Sequence, residues 1–254
     1  MAKYLIVGDS VAGGEWGTVG EGPPSISNGT YKVVHEGLSH YLKKAGHEVT
    51  LDYQPAGSNH NSIINLKRYP PQHWDAIFFF WTGAIRSIRD ITTLVKPEEK
   101  RDSHGEIYLD LPNIIDSEDK VQYGRVYDSD WSLDKLREIK EWCEHSALSI
   151  LSKIPLPIQL IGGAEDIPNL AESYGLEVFC QSTMKMCYNI DTPEFMDTAP
   201  IKLFDNLNKE CIDKIEEGMN FWHENRDLRN GGIDCHPNRE CHKKLAQLVL
   251  ERYS

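Results

Sequence analysis

A serine near the start of the chain and a histidine near its end each stand where an α/β protein presents side chains for chemistry. Residues 3–8 (KYLIVG) form an apolar run that closes in Gly8-Asp9-Ser10. A serine just past the C-terminal end of a first strand lies at the edge where open parallel sheets bind ligands. Its hydroxyl becomes a nucleophile when an imidazole takes its proton, and the backbone N–H groups of the following turn are placed to hold an oxyanion. The tripeptide by itself also describes a turn that caps a helix. Near the other end, Asp234-Cys235-His236-Pro237-Asn238 precedes an amphipathic stretch. There His236 has the chemistry of a general base, and Asp234, two positions earlier, that of the carboxylate that fixes its tautomer. The same pentapeptide also reads as a loop in which Asn238 caps the last helix.

Other residues have suitable chemistry and a structural alternative. Glu15 and Trp16 follow the serine turn and could wall a pocket, or simply pack it. His35 is either a second site histidine or a residue at a helix start. Arg86, with Arg89, follows the third strand, where a guanidinium can grip an anionic group bidentately or pair with one of the many carboxylates. Cys235, His236, Cys241 and His242 have the donor types of a zinc site, with Cys180 and Cys187 as poorly spaced complements. Buried free thiols are the alternative, and no metal ligand set is assigned. The glycine-rich segment after Gly8 lacks both Gly-x-Gly-x-x-Gly and a P-loop lysine, so a nucleotide site is not expected, and serine-histidine chemistry needs no cofactor.

The elements that must position these residues alternate. After the first strand, residues 9–30 are glycine-rich and read as loop. Residues 35–45 put Leu38, Tyr41, Leu42 and Ala45 on one helical face, with Gly46 suited to end the helix. Strands follow at 47–53 and 75–81, separated by the polar loop around Gly57-Ser58-Asn59 and a short helix over 62–69. Residues 96–131 break the pattern and read as an insertion or lid. A helix over 132–153, strands over 157–161 and 176–180, a helix over 205–224 and a last helix from Asn238 to Tyr253 complete the chain. Strand–helix alternation of this kind predicts one α/β domain over residues 1–254: a three-layer α/β/α sandwich around a parallel sheet, with the insertion after its third strand.

Composition narrows the partners. The chain has 254 residues and a formal net charge of −12. A chain this acidic repels phosphate backbones, and no long basic run offsets it, so nucleic acid is not an expected partner. No apolar run approaches the roughly 20 residues that span a bilayer. The N-terminal residues lack the pattern of a secretory signal, and six cysteines in such a chain read as reduced thiols of a cytoplasmic protein. Oligomeric state is not legible.

Taken together, these blocks resemble the SGNH (GDSL-type) hydrolase superfamily. Ser10 matches the family's nucleophile, Gly57 its oxyanion glycine after the second strand, and Asp234 with His236 its C-terminal pair. Residues 8–16, 35–42 and 57–59 are similar to those of uncharacterised SGNH-like proteins of marine phages and aquatic bacteria. The resemblance covers roughly the first 90 and the last 25 residues. It implies a flavodoxin-like fold and a serine esterase acting on a small ester, for instance an O-acyl group on a carbohydrate. Ser10 would attack, His236 would be the base, Asp234 would orient it, and Ser10, Gly57 and Asn59 would form the oxyanion hole. Two departures stand out. The family's third block carries an asparagine where this chain has Ala84, a loss that costs roughly 100- to 1,000-fold in turnover where one such donor is removed; Asn59 or Thr82 is the expected substitute. The pair here is Asp-x-His, not the family's Asp-x-x-His. The alternative reading is therefore a catalytically impaired binding or structural protein on the same fold.

Overall fold

A computed structural model describes residues 1–18, 31–55, 57–70, 73–87, 99–101, 107–113, 122–127, 132–195, 207–224 and 236–253. Its centre is a five-stranded sheet built from β1 (Lys3–Gly8), β4 (Glu48–Tyr53), β5 (Ala76–Trp81), β9 (Ile158–Gly162) and β10 (Glu177–Cys180), in the spatial order β10-β9-β5-β1-β4. Every pairing is parallel. Counting only these strands along the chain, the order is 2-1-3-4-5, the flavodoxin-like winding, whose crevice opens between the first and third strands at their C-terminal ends.

The sequence explains why β1 and β5 are central. Strands covered on both faces read as continuous apolar runs, and all six residues of AIFFFW are fully buried. Successive side chains serve opposite layers. Tyr4, Ile6, Phe78 and Phe80 face helices α2 (Gly37–Lys44) and α7 (Arg239–Tyr253) through Leu38, Leu42, Leu245 and Val249. Leu5, Val7, Ile77 and Phe79 face α3 (Asn59–Leu66) and α4 (Leu133–Ser152) through Ile63, Leu66, Leu148 and Leu151. Each such side chain contributes about 1.5–3 kcal/mol on full burial. The result is the three-layer α/β sandwich that strand–helix alternation predicts. A third cluster joins the first half of α4 to α6 (Lys209–Glu224) through Leu136, Ile139, Cys211 and Ile215.

Two stretches differ from the sequence reading. The expected loop over 9–30 holds a one-turn helix α1 (Ser10–Gly13) and a strand β2 (Glu15–Thr18), which pairs antiparallel with β3 (Tyr31–His35) just beyond it. Gly14 makes this possible: its φ is +120°, and a Cβ there would lie 2.1 Å from the His35 carbonyl oxygen. A short helix α5 (Thr183–Tyr188) was also not expected; Ser182 caps it by accepting from the Lys185 N–H. Within the expected insertion, β6 (Glu99–Arg101), β7 (Ile107–Asn113) and β8 (Gln122–Tyr127) form a separate antiparallel sheet. Residues 96–98, 102–106, 114–121 and 128–131 lie outside the described residues. Among the described residues, no helix is long and apolar enough to cross a membrane.

Candidate active site

Asp9 and Ser10 occupy the C-terminal end of β1, at the crevice. Asp9 caps α1, its Oδ1 accepting from the Val11 N–H at 2.9 Å. Ser10 is the first helical residue and is half-buried; a first-turn N–H has no acceptor within its own helix. Asp9 is completely buried. Its Oδ2 accepts from the Thr82 hydroxyl at 2.5 Å and from Arg86 Nη1 at 2.9 Å. Burying a carboxylate without partners is very costly; here a cation, a hydroxyl and a backbone N–H satisfy it.

The histidine loop reaches this point through β2. His236 is buried, and its ring lies 5.5 Å, centroid to centroid, from that of Trp16. The Trp16 indole N–H donates to the Ser10 carbonyl at 2.7 Å. The neighbouring Glu15 holds the start of α7: its Oε2 accepts from the Arg239 backbone N–H at 2.9 Å and from Arg239 Nε at 2.8 Å. Burial raises the Glu15 carboxyl, but the Arg239 hydrogen bonds and charge outweigh it and leave the group below the usual carboxylate range. Asn238 caps α7, accepting from the Cys241 N–H at 2.9 Å. Two consecutive residues of one short strand thus tie the serine turn to the histidine loop. The pocket roles suggested for Glu15 and Trp16 become a clamp. Asp234 and Cys235 lie outside the described residues.

The substitutes expected for the missing asparagine are engaged elsewhere. The Asn59 amide clamps the Thr82 peptide from both sides: Nδ2 donates to the Thr82 carbonyl and Oδ1 accepts from its N–H, each at 3.0 Å. Thr82 Oγ1 donates to Asp9. The Gly57 N–H closes a turn onto the Gln54 carbonyl at 2.9 Å. The physical reason is common to all three: each is buried, so each must find an internal partner. Arg86 donates to Asp9 and to the Thr82 hydroxyl, which is the carboxylate pairing that its sequence position also allowed. His35 accepts from the Gly37 N–H through Nδ1 at 3.1 Å and packs on His40, so it shapes the start of α2.

Sequence reasoning missed two features. Ala84 donates its N–H to Glu165 Oε2 at 3.3 Å, and Lys140 pairs with that carboxylate at 3.5 Å. Burial pushes the adjacent Glu144 carboxyl up to about 7, against the pull of Lys140. Polar residues in an otherwise apolar helix face were the available signal. The second feature is a Cys187–Cys241 disulfide, which corrects the expectation of reduced thiols throughout. It also removes Cys241 from the zinc alternative, because a disulfide sulfur is not a thiolate ligand. Among the described residues, no group of three or more His, Cys, Asp or Glu side chains could hold a metal ion. A cavity of about 620 Å³ is lined by Asp191, Asp213, Glu216, Glu217 and Phe221, none of them a residue named for the site. Several of its carboxylates already have lysine partners.

No protein-family model matches the chain, and no curated protein does.

Proposed function

We propose that the chain is a serine esterase of the SGNH type, acting on a small ester such as an O-acyl group on a carbohydrate. The observation that carries this reading is the double contact of Trp16, whose indole donates to the Ser10 backbone and packs against the His236 ring. The two residues named from opposite ends of the sequence thus share one neighbour at the ligand-binding edge of the sheet. In this mechanism Ser10 Oγ attacks the ester carbonyl while His236 takes its proton. The imidazolium then protonates the leaving alcohol, water enters, and the acyl group leaves as the acid. In this reading the Ser10 N–H, in the first turn of α1, is the oxyanion donor. Asp234 is the carboxylate that would orient the base.

A second reading rests on a specific observation. The Gly57 N–H, the Asn59 amide and the Thr82 hydroxyl are all used internally. An oxyanion hole that lacks such donors loses orders of magnitude in rate, which favours a protein that binds on this fold and turns over feebly. Covalent labelling decides between them. The purified chain is treated with a fluorophosphonate and the modified peptide identified by mass spectrometry, alongside Ser10→Ala and His236→Ala. Labelling at Ser10 that both variants abolish supports the esterase. A folded parent chain that stays unlabelled refutes it and leaves the binding protein.

A further inference from the structure

The His236 loop is held from two sides. Glu15 and Trp16 grip it on one; the end of α5 grips it on the other. There the Asn238 backbone N–H donates to the Tyr188 hydroxyl at 3.4 Å, Lys244 Nζ donates to the Met186 carbonyl, and Cys187 is joined to Cys241. Three consecutive residues, 186–188, therefore each touch the first turns of α7 or its cap. The covalent contact lies at the centre of the three. Cys241 is buried, whereas Cys187 is half-buried, so Cys187 is the side of the pair from which a reductant approaches. Cys241 also stands in the first turn of α7, where the helix dipole favours a thiolate and so a leaving group.

From this arrangement we infer that Cys187–Cys241 is a reducible latch that regulates the histidine loop; its bearing on catalysis rests on the esterase reading. A dithiol reductant attacks Cys187 Sγ with one thiolate, the S–S bond breaks, and Cys241 leaves as a thiolate. The reductant's second thiolate then displaces Cys187 and forms the reductant's own disulfide. Two electrons pass to the protein, and Cys187 and Cys241 end as thiols with two protons taken up. The loop then keeps only non-covalent contacts on the α5 side, and His236 opens to solvent more often. Oxidation restores the bond.

The test follows His236 directly, so it does not depend on any activity. The full chain, oxidised in air or reduced with excess dithiothreitol, is exposed to diethyl pyrocarbonate, and modification of His236 is timed by peptide mass spectrometry. Alkylation in parallel reports the state of Cys187 and Cys241. Reduction should accelerate His236 modification about tenfold through more frequent local opening. Oxidised glutathione should reverse the change. Cys187→Ser and Cys187→Ala should behave as the reduced chain in both conditions. Equal His236 rates in chains whose two cysteines are demonstrably oxidised and reduced overturn the latch, as does free alkylation of both without reductant. A second arm times fluorophosphonate labelling of Ser10. Slower labelling on reduction ties the latch to the serine; an oxidised chain that does not label refutes the esterase reading, while the histidine arm still decides the latch.

Discussion

The indole N–H of Trp16 donates to the backbone carbonyl of Ser10 at 2.7 Å. A side chain on β2 thereby holds the main chain of the nucleophile turn, and the same ring packs on His236. Trp16 is buried, so its N–H needs a partner and its ring supplies packing. The two roles separate by substitution. Trp16→Phe keeps a ring against His236 and removes only the donor, which costs about 0.5–1.5 kcal/mol. Trp16→Ala removes both, at about 3–5 kcal/mol. Urea unfolding should rank the two in that order. Ser10 labelling should slow in both, and more in Trp16→Ala. If Trp16→Phe labels as fast as the parent, the bond to Ser10 does not position the nucleophile.

Asn59 is expected to matter for the fold more than for the chemistry. Its amide satisfies both the N–H and the carbonyl of Thr82, and both residues are buried. Asn59→Ala leaves two orphaned backbone groups at about 1–3 kcal/mol each. Thermal unfolding should show a lower midpoint for Asn59→Ala, and Asn59→Asp should not restore it, since a carboxylate cannot donate to the Thr82 carbonyl. An Asn59→Ala chain as stable as the parent but devoid of Ser10 labelling would reverse this assignment and return Asn59 to the oxyanion hole.

Asp9 and Arg86 form the charged half of the same junction, with the carboxylate 1% and the guanidinium 18% exposed. Breaking such a pair by removing one partner strands the other, at a cost of about 3–5 kcal/mol for a buried pair. Arg86→Met leaves Asp9 with only Thr82 and the Val11 N–H. Asp9→Asn keeps the cap on α1 but removes the negative charge that Arg86 faces. The double variant strands no unpaired charge, so it should be less destabilised than the two single losses summed. The expected coupling is at least about 1 kcal/mol in a double-mutant cycle. Strict additivity in urea unfolding means that the two side chains do not act as a pair.

Much of this architecture was legible because the signals are physical and local. The AIFFFW run could only be a strand covered on both faces, and Ser132 and Asn238 marked helix starts that the structure keeps. What escaped reading depends on distant partners. Strand β2 hides in a glycine-rich segment, and β3, five residues that run straight up to α2, is too short for alternation to stand out. Thr183–Tyr188 is too short for a helical period to emerge. Type and position single out Ser10, Gly57 and His236 as candidates, but not the hydrogen bonds that occupy Gly57, Asn59 and Thr82. Those bonds depend on Gln54, on the Thr82 peptide and on Asp9, and spacing does not encode such pairings. The Cys187–Cys241 partnership is of the same kind, since cysteine connectivity cannot be deduced from sequence alone.

His242 gives the chain a specific pH dependence of stability. It lies in the first turns of α7, 1% exposed, and among the described residues neither ring nitrogen has a hydrogen-bond partner. Its ring packs so closely on Gly37 that a Cβ there would lie 2.8 Å from Cγ. Burial, reinforced by His236 and His35, lowers its pKa to about 4, although the Gly14 backbone and Glu15 pull the other way. In the unfolded chain the group titrates near 6.5. Between those values the unfolded state binds a proton that the native state refuses, so native stability is highest above about pH 6.5 and falls as the pH drops toward 4. For these two values the loss between pH 7.5 and pH 5 is about 2 kcal/mol. Urea unfolding of the parent and His242→Gln at the two pH values isolates the effect, because other carboxylates and histidines titrate alike in both chains. The variant should be the less stable at pH 7.5, since a longer polar amide replaces a fitted ring. It should lose about 2 kcal/mol less than the parent on acidification. Parallel losses in the two chains would mean that His242 accepts a proton as readily in the folded protein as in the unfolded one, with the ring free to reach water.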